Sequence, residues 1–499
     1  MVAEQLRLTI DTPAQAAPPV PSVRASIYDG ASQARRTRNW HAPTTSANSN
    51  LYSLATLRDR ARAAARNDGY ADNILRVLVS NIIGTGIKPL SQAANPELRR
   101  AIQVLFNRWT NESDADGLLD WYGQQAQACR GWKEAGEVFI RRRDRRIDDG
   151  LAVPLQLQVL EPELCPYTLH RTLASGNRIR AGIEFNGLGQ RVAYWFHPSR
   201  PGDFFDYDPG QMRRVPASSV IHLFDPERAG QLRGTPLLSR VLVALHELDK
   251  MDDAILLRQQ IANLFAGFLK RPAQAAGAED INPITNEAVS GLSSEIPAAT
   301  LEPGTMQELL PGEEIDFSDP PEPRGYPDFM RQQLMRVCAG TGVPYELLTG
   351  DMRGLNDRVL RVVLNEFRRQ IQMAQHHIFA QQFCRVTWNW WFERAWFSKA
   401  LPLGADFVTN PAPFMDAKWM PQGWPYMHPV QDIAAKKAAI RAGLTSRSAE
   451  VSEQGEDAEL IDAEQKADND RADELGLVYD SDARKPLSGS APASRGSQA

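Results

Sequence analysis

The sequence predicts an α+β protein, and three observations carry the prediction. Apolar residues recur at helical spacing from Leu51 onward, alternating runs of strand type take over between Glu137 and Phe224, and helical spacing returns after Pro236. At 499 residues the chain exceeds the roughly 250–300 at which a single core stops growing, so more than one packed unit is expected.

Residues 1–50 read as a flexible arm, because Pro, Ala, Ser, Thr and Asn dominate and only Ile27, Tyr28 and Trp40 offer scattered anchors. Leu54, Leu57, Ala61, Ala64 and Ala65 mark a first helix ending at Asn67-Asp68-Gly69, and a second runs from Tyr70 to about Ile83, where Gly84-Thr85-Gly86 stops it. Asn95-Pro96-Glu97 opens a third helix through Trp109, and Trp121 to Glu134 forms a fourth. Strands follow at Glu137–Arg141, Leu155–Leu160, Ile183–Phe185, Val192–Phe196 and Val220–Phe224, separated by Gly, Pro and Asp turns and read as an antiparallel sheet.

Thr235-Pro236 starts a long helix from Leu237 to about Leu264, with Leu238, Val241, Leu242, Leu245 and Leu248 as its stripe. Residues 265–325 are rich in Gly and Pro and read as short strands and loops, before helix returns at Tyr326. After a loop at Gly350 to Gly354, the residues Leu360, Val363, Leu364, Phe367, Ile371, Ala374 and Ile378 mark one face of a helix running toward Trp396. Pro-rich connections from Pro411 to Pro429 lead to a helix at Val430–Arg441, an acidic helical tail and a disordered stretch beyond Leu477.

Hydrophobic content of 42% with 23% charged residues is that of a soluble globular protein. The longest apolar run, Ile74 to Ile83, is interrupted by Arg76, Ser80 and Asn81 and falls short of the roughly 20 residues that span a bilayer, so no membrane partner is expected. Met1 to Pro21 lacks the pattern of a secretory signal, which implies synthesis in the cytoplasm. Cys129, Cys165, Cys338 and Cys384 form no CxxC pair and read as buried reduced thiols. A net charge of −5 argues against a protein that coats nucleic acid by neutralising phosphates. Charge is nevertheless uneven: between Arg24 and Arg66 eight arginines face two aspartates, a net of +6, whereas Glu450 to Glu474 sums to −9.

No motif of catalysis stands out. Gly84-Thr85-Gly86-Ile87-Lys88 lacks phosphate-loop spacing and is better read as a helix stop, and Gly187-Leu188-Gly189 as a hairpin turn. His376-His377 lack a helical partner for zinc and read as exposed, and no GxSxG elbow or Cys/His nucleophile pattern is present. Glu313-Glu314-Asp316 could hold Mg²⁺, although a solvated loop is the simpler reading. Arg141 to Arg146 is the densest basic run, suited to DNA or an acidic neighbour but better read as a hairpin tip. The tryptophans at 388, 390, 391 and 396 could stack bases, with core packing the better account.

The most specific residues are Gly342-Val343-Pro344-Tyr345-Glu346-Leu347-Leu348-Thr349-Gly350-Asp351, followed by Asn356 and Arg361. This stretch resembles lambda-type portal proteins of tailed bacteriophages. Arg66-Asn67-Asp68-Gly69-Tyr70-Ala71, Ile83-Gly84-Thr85-Gly86-Ile87, Asp225-Pro226-Glu227-Arg228, Gln231-Leu232-Arg233-Gly234 with Pro236, and Trp424 to Glu450 resemble further segments of that family in the same order. The family's polar run after the loop Asn is here Asp357-Arg358-Val359-Leu360.

The resemblance implies a portal fold with wing, long-helix stem, β-rich clip and α-helical crown, assembling as a ring of twelve at one capsid vertex through which double-stranded DNA is packaged and ejected. It assigns 51–236 to the wing, 237–264 and 326–345 to the stem, 265–325 to the clip, 346–429 to the tunnel loop and long wing helix, 430–475 to the crown and 476–499 to a disordered tail. The tunnel loop would comprise Thr349, Gly350, Asp351, Met352, Arg353, Gly354, Leu355 and Asn356 with Arg358, its isolated basic residues Arg353 and Arg358 touching DNA weakly and without sequence preference. Clip residues Glu308, Glu313, Glu314 and Asp316 would dock the terminase large subunit and later the head-completion and tail proteins. Major capsid and scaffold proteins are further implied partners, the virion is the implied location, and no cofactor, metal or catalytic residue is expected. A Mg²⁺-dependent DNA-processing hydrolase and another structural virion protein, such as a capsid adaptor, are the alternatives.

Overall fold

The computed structural model describes residues 45–202, 211–260, 325–426 and 428–479 with a few single positions beside them, and by backbone alone 261–263, 267–270 and 314–317. The arm up to residue 44, apart from single positions, most of the expected clip, and most of the tail beyond 479 lie outside the described residues.

Helices α1 (Leu54–Asn67) and α2 (Gly69–Ile82) are divided at Asp68, which is extended and whose carboxylate accepts the amides of Tyr70 (2.8 Å) and Ala71 (3.3 Å). After β1 (Lys88–Ser91) come α3 (Pro96–Thr110) and α4 (Trp121–Ala135), started by the side chains of Asn95 and Asp120. The strand region holds β2 (Glu137–Asp144), β3 (Leu155–Leu160), β4 (Arg171–Thr172), β5 (Arg178–Arg180), β6 (Ile183–Phe185), β7 (Arg191–Phe196), β8 (Arg213–Pro216) and β9 (Val220–Phe224). These strands form two antiparallel sheets, not the one expected from sequence: β3-β2-β9 and β4-β5-β6-β7-β8.

The long helix expected from Leu237 begins as a 3₁₀ turn, Leu237–Arg240, before α5 (Leu242–Asn263). Strands β10 (Gly267–Lys270) and β11 (Glu314–Phe317) pair antiparallel, and α6 (Tyr326–Thr341) returns alongside α5, where the Tyr326 hydroxyl meets Asp252. A short α7 (Tyr345–Thr349) precedes α8 (Asp357–Met373), which continues through a π-helical stretch, Ala374–Cys384, into α9 (Arg385–Phe397). The π winding moves the buried stripe: Phe367 and Ile371 are buried as expected, but the buried positions then run through Gln375, Phe379 and Phe383, not through Ala374 and Ile378.

The Pro-rich connection contains α10 (Asp406–Thr409), α11 (Ala412–Met415) and β12 (Ala417–Met420), which pairs with β1 across more than three hundred residues. The chain then forms α12 (Pro429–Arg441), α13 (Arg447–Glu453) and α14 (Ala458–Glu474). Two cores result. The larger joins α1–α9 to one face of the three-stranded sheet, with Trp388 stacked on Trp391 at 5.3 Å between ring centroids. The smaller lies between the other face of that sheet and the five-stranded sheet, around Phe139, Tyr194 and Phe196. Trp390 is buried as expected, whereas Trp396 is 38% exposed because it sits at the helix end. Of the four free cysteines only Cys338 is not fully buried.

Candidate functional site

The loop singled out by sequence is built by what precedes and follows it. Pro344 opens α7 after the buried Val343, and the helix closes at Gly350, whose left-handed conformation (φ 72°) returns its amide to the Glu346 carbonyl at 2.9 Å. Leu348 anchors this helix in the larger core. From α2, Asn73 Nδ2 donates to the carbonyls of Leu347 (3.0 Å) and Leu348 (2.8 Å), satisfying acceptors that a helix end leaves open.

Within the loop, Thr349 Oγ1 donates to the Tyr345 carbonyl (2.8 Å) and accepts the Asp351 amide (3.2 Å). Arg353 lays its guanidinium on Asp351 as a fork, Nε to Oδ1 at 2.8 Å and Nη2 to Oδ2 at 2.9 Å. The fork and the Arg353 amide bring the Asp351 carboxyl down to about 2. Met352, Arg353 and Gly354 are exposed and Leu355 is half-buried. Asn356 Oδ1 accepts the Arg358 amide at 3.0 Å and thereby starts α8. The Arg358 side chain is exposed and its guanidinium has no hydrogen bond or ion pair among the described residues. Arg353 and Arg358 therefore differ, contrary to the reading of both as isolated cations: a carboxylate two residues away already neutralises the first.

Glu308 and Glu313 lie outside the described residues. Glu314 and Asp316 are described by backbone only, in β11 opposite Lys270 and Phe268. His376 and His377 are exposed as expected. Among the described residues no group of three or more His, Cys, Asp or Glu could hold a metal ion, and no helix is long and apolar enough to cross a membrane.

Sequence reasoning missed a buried charge centre behind the sheet. Glu137, the first residue of β2, is fully buried; its Oε1 accepts from Arg58 Nη2 (2.5 Å) and Arg233 Nε (2.6 Å), and its Oε2 from the Gly234 amide (2.9 Å) and His222 Nε2 (2.8 Å). Burial alone would raise this carboxyl, but Arg233, Arg58 and His222 outweigh it and hold it well below the usual carboxylate range. Burial takes His222 down to about 4, and its Nδ1 faces Arg191 Nη1 at 3.2 Å, so the ring is neutral with its proton on Nε2. Arg233 also donates to the carbonyls of Cys165 and Ala181, both at 2.9 Å. The backbones of Gly136 and Gly234 meet so closely that a Cβ on Gly234 would stand 2.0 Å from the Gly136 carbonyl oxygen. Asn48 and Asn50, placed in the arm by sequence, dock on this same segment: Asn48 Oδ1 accepts the Leu232 amide (2.8 Å) and Asn50 Nδ2 donates to the Arg233 carbonyl (3.1 Å). The signal was the arginine within Gln231-Leu232-Arg233-Gly234, but nothing local pairs it with a glutamate almost a hundred residues away.

The sequence profile of phage portal proteins, lambda family, matches residues 33–375, well over half of the chain and including this charge centre and the loop. The chain belongs to the lambda family of phage portal proteins. It is 27% identical over 440 residues to the probable portal protein of Halomonas phage phiHAP-1, covering 85% of this chain and 81% of that protein. It is 22% identical over 470 residues to portal protein B of Escherichia phage lambda, covering 86% of each. A chain in the solved virion of a native gene transfer agent particle is 13% identical, with a TM-score of 0.44, over 81% of this chain and 93% of that one. As a member of this portal family the protein is a structural component of the virion and not an enzyme.

Proposed function

We propose that copies of this portal chain close into a ring of twelve at one capsid vertex, and that double-stranded DNA is packaged and ejected through its centre past the loop Thr349 to Asn356 with Arg358. A heterologous interface repeated about an axis closes into such a ring and leaves a hole. Exposed apolar side chains support an interface: Val243, Leu256 and Leu257 on α5, Met335 on α6, and Val359 and Val362 on α8. In this reading α5 and α6 are stem, 265–325 clip, and 430–475 crown.

The observation that carries the loop assignment is its charge state. DNA that must move cannot be held by many phosphate contacts, since each neutralised phosphate adds affinity through released counterions. The loop is exposed and polar, its one acid and one arginine cancel, and Arg358 beside it is the cation left over, which supports a weak contact without sequence preference. The chain has no GxxxxGK[ST] phosphate loop, so ATP hydrolysis belongs to the terminase large subunit, docked on the clip through Glu308, Glu313, Glu314 and Asp316. Head-completion and tail proteins follow it there, and major capsid and scaffold proteins surround the ring. Synthesis is in the host cytoplasm.

Deleting Met352 to Leu355 tests the loop. Rings should still form by negative-stain imaging while packaged DNA is lost or retained poorly; normal packaging and retention would remove the loop from the mechanism.

A further inference from the structure

The basic run Arg141 to Arg146 is not used by the loop or the charge centre, and the structure divides it by strand alternation. Arg142 points toward the larger core, where Glu393 takes it at 2.7 Å and Asp144 at 2.8 Å. Arg141 and Arg143 lie on the other face of β2, two and four residues beyond Phe139. On the facing sheet Arg213 is paired in register with Phe196, which places both on the inward face, and the Phe139 and Phe196 rings touch at 5.3 Å. Arg141, one same-face step beyond Phe139, and Arg213, beside Phe196, thus lie at the same end of the space between the two sheets.

What holds these arginines is uncharged. Gln158 Oε1 accepts Arg143 Nε at 2.9 Å and Gln156 Oε1 accepts Arg145 Nε at 2.7 Å. Among the described residues no carboxylate pairs with Arg141, Arg143, Arg145 or Arg213. Partial burial and then Arg213 hold the Arg141 guanidinium down, and partial burial, Arg141, Arg145 and Arg213 do the same for Arg143, with Asp116 as a weaker opposing charge. Folding has placed like charges together and ordered two of them with amides that leave the charge intact, an arrangement that favours an anion from outside.

We propose that Arg141, Arg143, Arg145 and Arg213 form a second phosphate-binding surface for double-stranded DNA, separate from the loop at 349–356. Arg141 and Arg143 stand about 7 Å apart along β2, with Arg145 following just beyond its end, which suits a polymer of regularly spaced anions more than a single small ion. This rests on the portal reading, because a duplex is the polyanion that reading brings to the chain.

The test is a titration of the purified full-length protein with a fluorescent duplex of arbitrary sequence, from about 50 to about 200 mM salt. The variant Arg141→Gln/Arg143→Gln/Arg213→Gln should bind about tenfold more weakly at the lower salt and lose about 2 to 3 from the slope of log affinity against log salt. Lysine at the same three positions should keep most of that slope. Arg142→Gln removes one positive charge from the other face of the strand and should leave the slope unchanged, whereas Arg143→Gln alone should lower it by about 1. A glutamine variant that melts like the parent and binds duplex equally well overturns the proposal. So does polyglutamate that at matched charge binds this face at least about tenfold more tightly than the duplex, which would give the face to an acidic protein partner. Loss of the portal reading would show separately, as a parent protein that binds duplex but never forms rings.

Discussion

Glu137 keeps a full negative charge where no water reaches it. Two guanidiniums, one imidazole N–H and one backbone amide supply what water would, and the same four bonds join α1, β2, β9 and the segment leading to α5. Removing one member of such a set leaves the others charged and unpartnered. Glu137→Gln should therefore cost about 3–5 kcal/mol in denaturant unfolding, and a loss under about 1 kcal/mol would show the centre to be slack. The pH dependence has a definite sign. His222 takes a proton near 6.5 when unfolded but resists until about 4 when folded, so the unfolded state gains protons first and stability falls as pH drops through that window. Glu137 works in the same direction below its ordinary value, since its folded carboxylate stays charged after the unfolded one has protonated. Melting temperature should decline from pH 7 toward pH 4, more shallowly in His222→Gln; parallel profiles would exclude the histidine.

The loop is legible as an element because its punctuation is local. Proline, a left-handed glycine and an asparagine cap are all written into Pro344, Gly350 and Asn356, and each acts within a few residues. Asn356→Ala should cost about 1 kcal/mol and fray the first turn of α8, visible as faster amide exchange over residues 357–360. Asn73 was not legible, since its partners Leu347 and Leu348 are distant in sequence. Asn73→Ala leaves two carbonyls short of a donor and should cost about 1–3 kcal/mol while speeding exchange in α7. The π-helical stretch escaped the periodicity for a related reason. Gln375 Nε2 donates to the Ile82 carbonyl (2.9 Å), and Gln382 both donates to and accepts from the Phe224 backbone (3.1 Å each way), so polar pins from α2 and β9 favour a winding that apolar spacing does not encode.

For the whole molecule, the described residues leave apolar side chains exposed on α5, α6 and α8, and the sequence carries opposite signs of charge toward its two ends. Assembly should bury the former. The purified protein at micromolar concentration should run as a multiple of its 55.6 kDa mass, and Leu256→Glu/Leu257→Glu should shift it toward the monomer without lowering its melting temperature, because both side chains are exposed. A parent protein that stays monomeric at every concentration beside its capsid partners would defeat the ring.

Local rules sufficed for the α+β class, for helices beginning near Tyr70, Asn95 and Trp121, and for strands at Glu137, Leu155, Ile183, Val192 and Val220, because caps, turns and periodicity act over a few residues, while the stretch from Gly342 to Asp351 was legible by its resemblance to a family. Tertiary structure alone decided that the strands divide into two sheets, that β12 closes on β1, that Asn73 reaches the end of α7, and that Glu137 gathers Arg58, His222 and Arg233. Those outcomes depend on which distant groups arrive together where water is excluded, and the strength of a charge or an unpaired amide is set by that arrival, not by its neighbours in the chain.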